Sequence, residues 1–448
     1  GGSIVTVPLA PASITVMPDP SLQLKYYLET VVFADDPVTP QLEPSIPFNL
    51  GLLVKNNGAG VASDLTITSS QPEIVENDRG LLIDFDIIGT EVGNEEISPS
   101  LTVNLGDIGP EETNVARWLM ISTLQGEFVS YSASYEHITG LGDPRLSVIE
   151  SVDIFGLNHV VRNTTSSGDN LPDFLTNDFP DPQDLPDRVH LSENGVVEEV
   201  NAEIDPFFTS DLSELSATIN ATLTSGWNYV RIDDPFDGSF RLASVERSDG
   251  SSLLMPENAW QTSRIDRNSA GSPVERFIHI FDNTSIAPTD GEYTLTFDPD
   301  NDPPQALAIQ SVIEHDGIGE VGLTLTQGEP ASEPRGSGIK AIIYTFNEPI
   351  DEATFNEATV LVDGTNVNTD DPVDLSSVAE TVTLTAGDTV GEVRFDPPLP
   401  FPARYCVQLA GVADRAGNVI AGDAVRLDLA ALPGDATGDR RVNNTDVG

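Results

Sequence analysis

The sequence predicts an all-β chain built from tandem β-sandwiches, and three observations carry that prediction. Short runs rich in Val, Ile, Thr, Tyr and Phe alternate with polar residues, the period of a strand with one buried face. Gly, Pro, Asn and Asp break these runs roughly every ten residues, as sandwich turns require. No stretch keeps the 3.6-residue apolar period of a long amphipathic helix. The clearest strands are Leu65-Thr66-Ile67-Thr68, Leu101-Thr102-Val103-Asn104-Leu105, Tyr293-Thr294-Leu295-Thr296-Phe297 and Thr381-Val382-Thr383-Leu384. At 448 residues the chain is too long for one core and divides into several.

Composition narrows the setting. Against 72 Asp and Glu stand 21 Lys and Arg, a formal net charge of −51. Such a field repels phosphate backbones and anionic bilayers, so nucleic acid and membrane surfaces are excluded as partners. No apolar run approaches a membrane span, so no membrane insertion is expected. With 39% hydrophobic residues the chain still has material for cores, unlike a disordered acidic tail. The charge repels itself unless salt or divalent cations screen it, which suits a saline or calcium-rich exterior. One cysteine, Cys406, rules out an internal disulfide; its place in an alternating run reads as a buried structural thiol. The start, Gly1-Gly2-Ser3, lacks the basic and apolar regions of a leader. A secreted, cell-surface location is therefore expected with any leader removed or outside this chain.

Four segments follow along the chain. Residues 1–146 centre on the run Phe48 to Ile67, where a strand meets Asn56-Asn57-Gly58-Ala59-Gly60 and a second strand follows. Asn57-Gly58 is expected to supply the positive φ angles of a tight hairpin. The run resembles the Asn-x-Gly pattern of CARDB-type immunoglobulin-like modules of bacterial surface proteins. Residues 147–304 open with the strand Leu146 to Val152, continue through an acidic, Pro-rich loop from Gly168 to Asp181, and belong to no recognised family. Trp118, Trp227 and Trp260 are expected in cores. In residues 305–432, Tyr344-Thr345-Phe346-Asn347-Glu348-Pro349 and Tyr405-Cys406-Val407-Gln408-Leu409 to Asp414-Arg415-Ala416-Gly417-Asn418 resemble the two ends of the immunoglobulin-like domain of bacterial S-layer proteins. Asp414 and Asn418 are expected to brace the closing turn by side chain to backbone hydrogen bonds.

The last segment, residues 433–448, carries the most specific spacing. Oxygen-bearing side chains at Asp435, Thr437, Asp439, Asn443 and Asp446 fall at loop positions 1, 3, 5, 9 and 12, and Arg441 would add its backbone carbonyl at position 7. A hard cation such as Ca²⁺ needs six to eight oxygens, and this spacing wraps them around it. The stretch resembles the first calcium repeat of a type I dockerin, with Arg440 where that repeat takes Gly. The resemblance implies a cohesin-like partner and a repeat completed beyond Gly448. A second calcium candidate is the loop from Asp169 to Asp187, above all Asp169 and Asp173, where bound Ca²⁺ would relieve carboxylate repulsion. The competing readings are an Asp- and Asn-rich turn and a solvated acidic connector.

Catalytic signals are thin. His137, His159, His190, His279 and His315 are scattered singly, none in a zinc spacing, and His159 reads as packed within a strand. No nucleophile elbow, P-loop or dinucleotide fingerprint occurs. The expected role is non-catalytic: an extracellular structural or adhesive protein that builds or tethers a calcium-stiffened assembly, filament or lattice. Its expected partners are further copies of itself or other surface proteins, with polysaccharide as a further ligand. The apolar, alternating segment Ser3 to Val16 is a candidate donor strand for self-association. The alternative is the carbohydrate-binding, anchoring portion of a secreted hydrolase that bears a dockerin.

Overall fold

The computed structural model describes residues 18–35, 45–67, 73–74, 84–127, 131–132, 148–178, 185–204, 206–208, 215–265, 274–288, 290–298, 302–315, 317, 319–325, 331–336, 338–385, 387–421, 426–435 and 442. These residues are almost wholly strand, turn and loop, and the one helical turn among them is the 3-10 turn Glu193–Gly195. The all-β reading holds.

The largest sheet has twelve strands. From one edge it runs Ala259–Ile265, Val274–Asn283, Trp227–Asp233, Val197–Ile204, Arg188–His190, Asp173–Thr176 and Ile149–Val161. It continues through Leu22–Leu28, Phe48–Asn56, Thr113–Ser122, Phe85–Val92 and Glu95–Ile97. The 13-residue strand Ile149–Val161 joins the two halves. Its first part lies parallel to Leu22–Leu28, from Ile149 beside Leu22 to Gly156 beside Leu28, and its last residues pair antiparallel with Asp173–Thr176. One strand therefore serves two cores, and a single sheet holds strands of both the first and the second segment.

Alternation decides which side chains each core receives. Leu22, Leu24, Tyr26 and Leu28 face a core closed by the two-stranded sheet of Ala62–Ile67 and Val103–Ile108. Tyr27, on the other face, joins Leu53, Val115, Leu157, Val160 and Phe174 in a second cluster that spans the seam. Leu22–Leu28 is thus buried on both faces. Phe174 lies directly over Gly51, where an added Cβ would overlap its ring, and stacks on Tyr27 with centroids 4.0 Å apart. Fully burying one such aromatic is worth about 2–3 kcal/mol.

The expected hairpin at Asn57-Gly58 is not there. Phe48–Asn56 pairs with Leu22–Leu28 and Thr113–Ser122, whereas Ala62–Ile67 pairs with Val103–Ile108 in the facing sheet. The segment between is a crossover, and Asn57 and Gly58 lie outside the left-handed region. A buried side chain holds the crossover: Asn56 Nδ2 donates to the carbonyls of Gly60 (2.7 Å) and Ile108 (3.0 Å), and Asn56 Oδ1 accepts from the Ser21 and Gly58 N–H groups. Gly60 is required because any Cβ there would overlap the Pro18 carbonyl.

Beyond the seam, the outer face of Trp227–Asp233, Ala259–Ile265 and Val274–Asn283 packs on a four-stranded sheet of Phe207–Phe208, Ser216–Asn220, Glu292–Asp298 and Arg241–Arg247. Their inner face joins Val161, Leu175, Val189 and Leu191, so the sheet curls over itself. All three tryptophans are core. Residues from 306 onward form a five-stranded sheet, in order Gly319–Leu325, Ala306–His315, Ile339–Phe346, Val390–Leu399 and Ala379–Thr385. It faces a four-stranded sheet of Ala331–Glu333, Arg426–Ala431, Ala403–Leu409 and Val360–Asn366. Along Ala403–Leu409 the residues Ala403, Tyr405, Val407 and Leu409 fill the core, which turns Cys406 to the other face. The thiol expected to be buried is only partly so, because strand parity, not hydrophobicity, places it.

Candidate functional site

Asp169 and Asp173 meet in space through Ser192, a residue that the sequence did not single out. Asp173 opens the strand Asp173–Thr176 and is fully buried. Its Oδ1 accepts from the Ser192 N–H (2.6 Å) and hydroxyl (2.9 Å), and its Oδ2 accepts from the Asn163 N–H (2.5 Å). Asp169 Oδ1 accepts from the same Ser192 hydroxyl (2.8 Å) and from the Leu171 N–H (2.9 Å). Glu193 Oε1 accepts from the Asp169 N–H (3.0 Å) and Asn163 Nδ2 (2.8 Å). Burial pushes Asp173 up to about 7; the Glu193 carboxylate adds to that push, and the Ser192 and Asn163 donors oppose it. Burial also raises Glu193, with Asp169 contributing. The three acids fasten a loop by hydrogen bonds, and the oxygens of Asp173 are taken by protein donors.

Next along the same strands, His190 is buried with Nε2 3.3 Å from Asp178 Oδ2. Burial pushes Asp178 up, but hydrogen bonds with His190 and Thr176 outweigh it and hold the carboxyl below its ordinary value. The imidazole packs against Phe155 and Tyr27, at centroid distances of 4.4 and 5.1 Å. Its Nδ1 and the Tyr27 hydroxyl, both buried, find no hydrogen-bond partner among the described residues. Asp181 and Asp184, of the same acidic loop, lie outside those residues.

Two more histidines flank a tryptophan. Trp260 lies between His159 (3.8 Å, 13° between planes) and His279 (4.8 Å, 7°). Trp260 and His279 are direct cross-strand partners, and His159 reaches them from Ile149–Val161 because the sheet curls. His159 Nε2 sits 3.0 Å from the Pro256 carbonyl; His279 bonds the Tyr229 hydroxyl at 2.7 Å and the Thr262 hydroxyl at 2.9 Å. Burial drops His159 to about 4 and His279 well below its ordinary value, so both rings are neutral near pH 7. Neither the pairing of Trp260 with His279 nor the approach of His159, about a hundred residues away, has a local signal in the sequence.

Cations, scarce in this chain, concentrate at junctions. Arg162 bonds Asn94 Oδ1 (2.7 Å) and the Asn170 carbonyl and pairs with Glu257, tying the 85–97 hairpin to the acidic loop and the 254–258 turn. Arg276 bonds Asp237 Oδ1 (2.7 Å) and the Gly387 carbonyl (2.5 Å). Arg415 bonds Asp237 and, at 2.5 Å, Asp388. This chain of two cations and two anions clamps the 147–304 segment to the 305–432 segment. A cavity of about 320 Å³ lies beside the parallel pair Val197–Ile204 and Trp227–Asp233, lined by Asn201, Glu203, Thr222, Leu223, Thr224 and Asn228.

Of the tail loop, Asp435 is described. It is buried, its Oδ2 accepts from the Ser332 hydroxyl at 2.7 Å, and the turn before it is pinned by Gly434 N–H to the Pro334 carbonyl. Thr437, Asp439, Arg441, Asn443 and Asp446 lie outside the described residues. Among the described residues no group of three or more His, Cys, Asp or Glu is arranged to hold a metal ion, and no helix is long and apolar enough to cross a membrane. Asp414 and Asn418 brace their turn as expected: Asn418 donates its N–H and its Nδ2 to the Asp414 carboxylate, both at 2.8 Å. Compared with known proteins, the chain matches no family model and no curated protein sequence.

Proposed function

We propose that this chain is a non-catalytic structural and adhesive protein of the cell exterior, which spaces and tethers partners rather than transforming them. The observation that supports this reading best is the strand Ile149–Val161, which two cores share. Together with the Asp237–Arg415 clamp it holds successive sandwiches in fixed relation, which a spacer needs and a freely hinged array lacks. The proposal includes Ca²⁺ at the 435–446 loop, where Asp435 is already anchored, with the dense negative charge elsewhere screened by the same cation-rich surroundings. Partners of this class are further copies of the chain and cohesin-like surface proteins. The test combines small-angle scattering with thermal unfolding, each with calcium and with a chelator. An elongated particle that melts at lower temperature without calcium is expected. A compact particle would end the spacer reading, and an unchanged melt would remove calcium from it.

A second reading, a carbohydrate-binding anchor of a secreted hydrolase, draws support from the cavity beside Asn201, Glu203 and Asn228, whose amide and carboxylate groups suit sugar hydroxyls. Calorimetric titration with cellulose- and xylan-derived oligosaccharides decides it.

A further inference from the structure

An edge strand leaves a row of N–H and C=O groups without a neighbour, and proteins blunt such edges with charge, brevity, bulges or cover. Most edges here are blunted. Glu95–Ile97 is three residues long and carries two carboxylates. Gly319–Leu325 holds Glu320 in ion pairs with Lys340 and Arg394. Val360–Asn366 is covered by the segment that bridges Thr365 to Pro372 and donates the Val373 N–H to the Gly364 carbonyl. Arg241–Arg247 carries three charged side chains and a bridge from Glu246 to Ser252.

Of these devices Ala379–Thr385 has only a single charge. Its seven residues keep an unbroken register with Val390–Leu399, contain neither proline nor lysine, and carry one carboxylate, Glu380. No strand among the described residues pairs with its outer side. Thr381, Thr383 and Thr385 are exposed, while Val382 and Leu384 are half-buried against the core, each with an uncovered flank.

Charge selects what can lie there. An added strand runs about 4.8 Å from its neighbour, and in a chain of net charge −51 an acidic one would be repelled. Residues 1–17 contain no charged side chain, although 21% of the whole chain is charged. Within them Ser13-Ile14-Thr15-Val16 repeats the alternation of hydroxyl and β-branched apolar residues found at the edge. Residues 19 and 21 are held on the first core through the Gly60 and Asn57 N–H groups. Six extended residues reach only about 20 Å from there, whereas the edge belongs to the third core.

We propose that Ala379–Thr385 accepts residues 12–17 of a second copy of the chain as an added strand. Ile14 and Val16 cover Val382 and Leu384, and Ser13 and Thr15 face solvent beside the threonines. This rests on the assembly reading above and names its contact. The test is sedimentation velocity of the full chain from 5 to 500 µM together with hydrogen–deuterium exchange. Larger species are expected as concentration rises, with exchange slowed at residues 379–385. Ile14→Lys with Val16→Lys is expected to weaken association at least tenfold, as is Thr383→Lys, while Thr66→Lys on another exposed strand leaves it unchanged. A monomer at 500 µM overturns the proposal, as does association that both variants leave intact. Protection at 379–385 that does not depend on concentration also overturns it, because the segment would then occupy its own chain's edge. A monomer that keeps its calcium-dependent melt and its elongated shape would sink this contact alone and leave the spacer reading standing.

Discussion

At the scale of residues, the buried Asp173 and the half-buried His159 give the fold opposite responses to pH. Asp173 is held near 7 in the folded chain against an ordinary 3.8, so the folded state keeps a proton that the unfolded state has shed. Its contribution is full below pH 3.8 and disappears as pH rises through about 7, worth on the order of 4 kcal/mol at most. Asp173→Asn is neutral at every pH, so the variant is expected to lose less stability than the parent between pH 4 and pH 7 in urea melts. His159 works the other way. Its folded value of about 4 lies below the ordinary 6.5, so its contribution is full above pH 6.5 and declines as pH falls toward 4. His159→Phe keeps a ring on Trp260 and removes the titration; its melting temperature is expected to fall less than the parent's between pH 7 and pH 4.5. Neither behaviour is legible from the sequence, because both depend on desolvation by residues far away in the chain.

At the scale of elements, alternation made the strands legible. Thr381 to Leu384 and Tyr293 to Phe297 lie inside observed strands, because a period of two is local and survives any arrangement of the sheets. Pairing is not local. Nothing near Leu22 announces Ile149 as its parallel neighbour, and the Asn-Asn-Gly run that looked like a hairpin is a crossover held by Asn56. Of the candidate calcium residues, Asp169 and Asp173 were legible as an acidic loop, but Ser192, which gathers them, had no signal of its own. The seam depends on Gly51 accepting the Phe174 ring. Gly51→Ala is therefore expected to cost about 1–3 kcal/mol, since neither strand can withdraw without losing its register. Chemical denaturation of the variant, with its unfolding slope compared to the parent's, measures this.

At the scale of the whole molecule, the Arg276–Asp237–Arg415–Asp388 clamp sets how the second and third cores meet. Arg415 is held above its ordinary value: burial lowers it, and the hydrogen bonds to Asp237 and Asp388 outweigh that. Arg415→Ala is expected to broaden the distance distribution from small-angle scattering and to leave the melting of each core within a few degrees of the parent's. A scattering profile identical to the parent's would mean that the clamp does not fix the angle. The shared strand has a consequence of a different sort. Leu22–Leu28 and Ile149–Gly156 point the same way, so tension entering ahead of Leu22 and leaving past Val161 pulls the two in opposite senses along their length. Their bonds must then slide and yield together in shear, rather than opening one after another like a zip. Single-molecule stretching should therefore find the join between the first two cores harder to rupture than the turns around it.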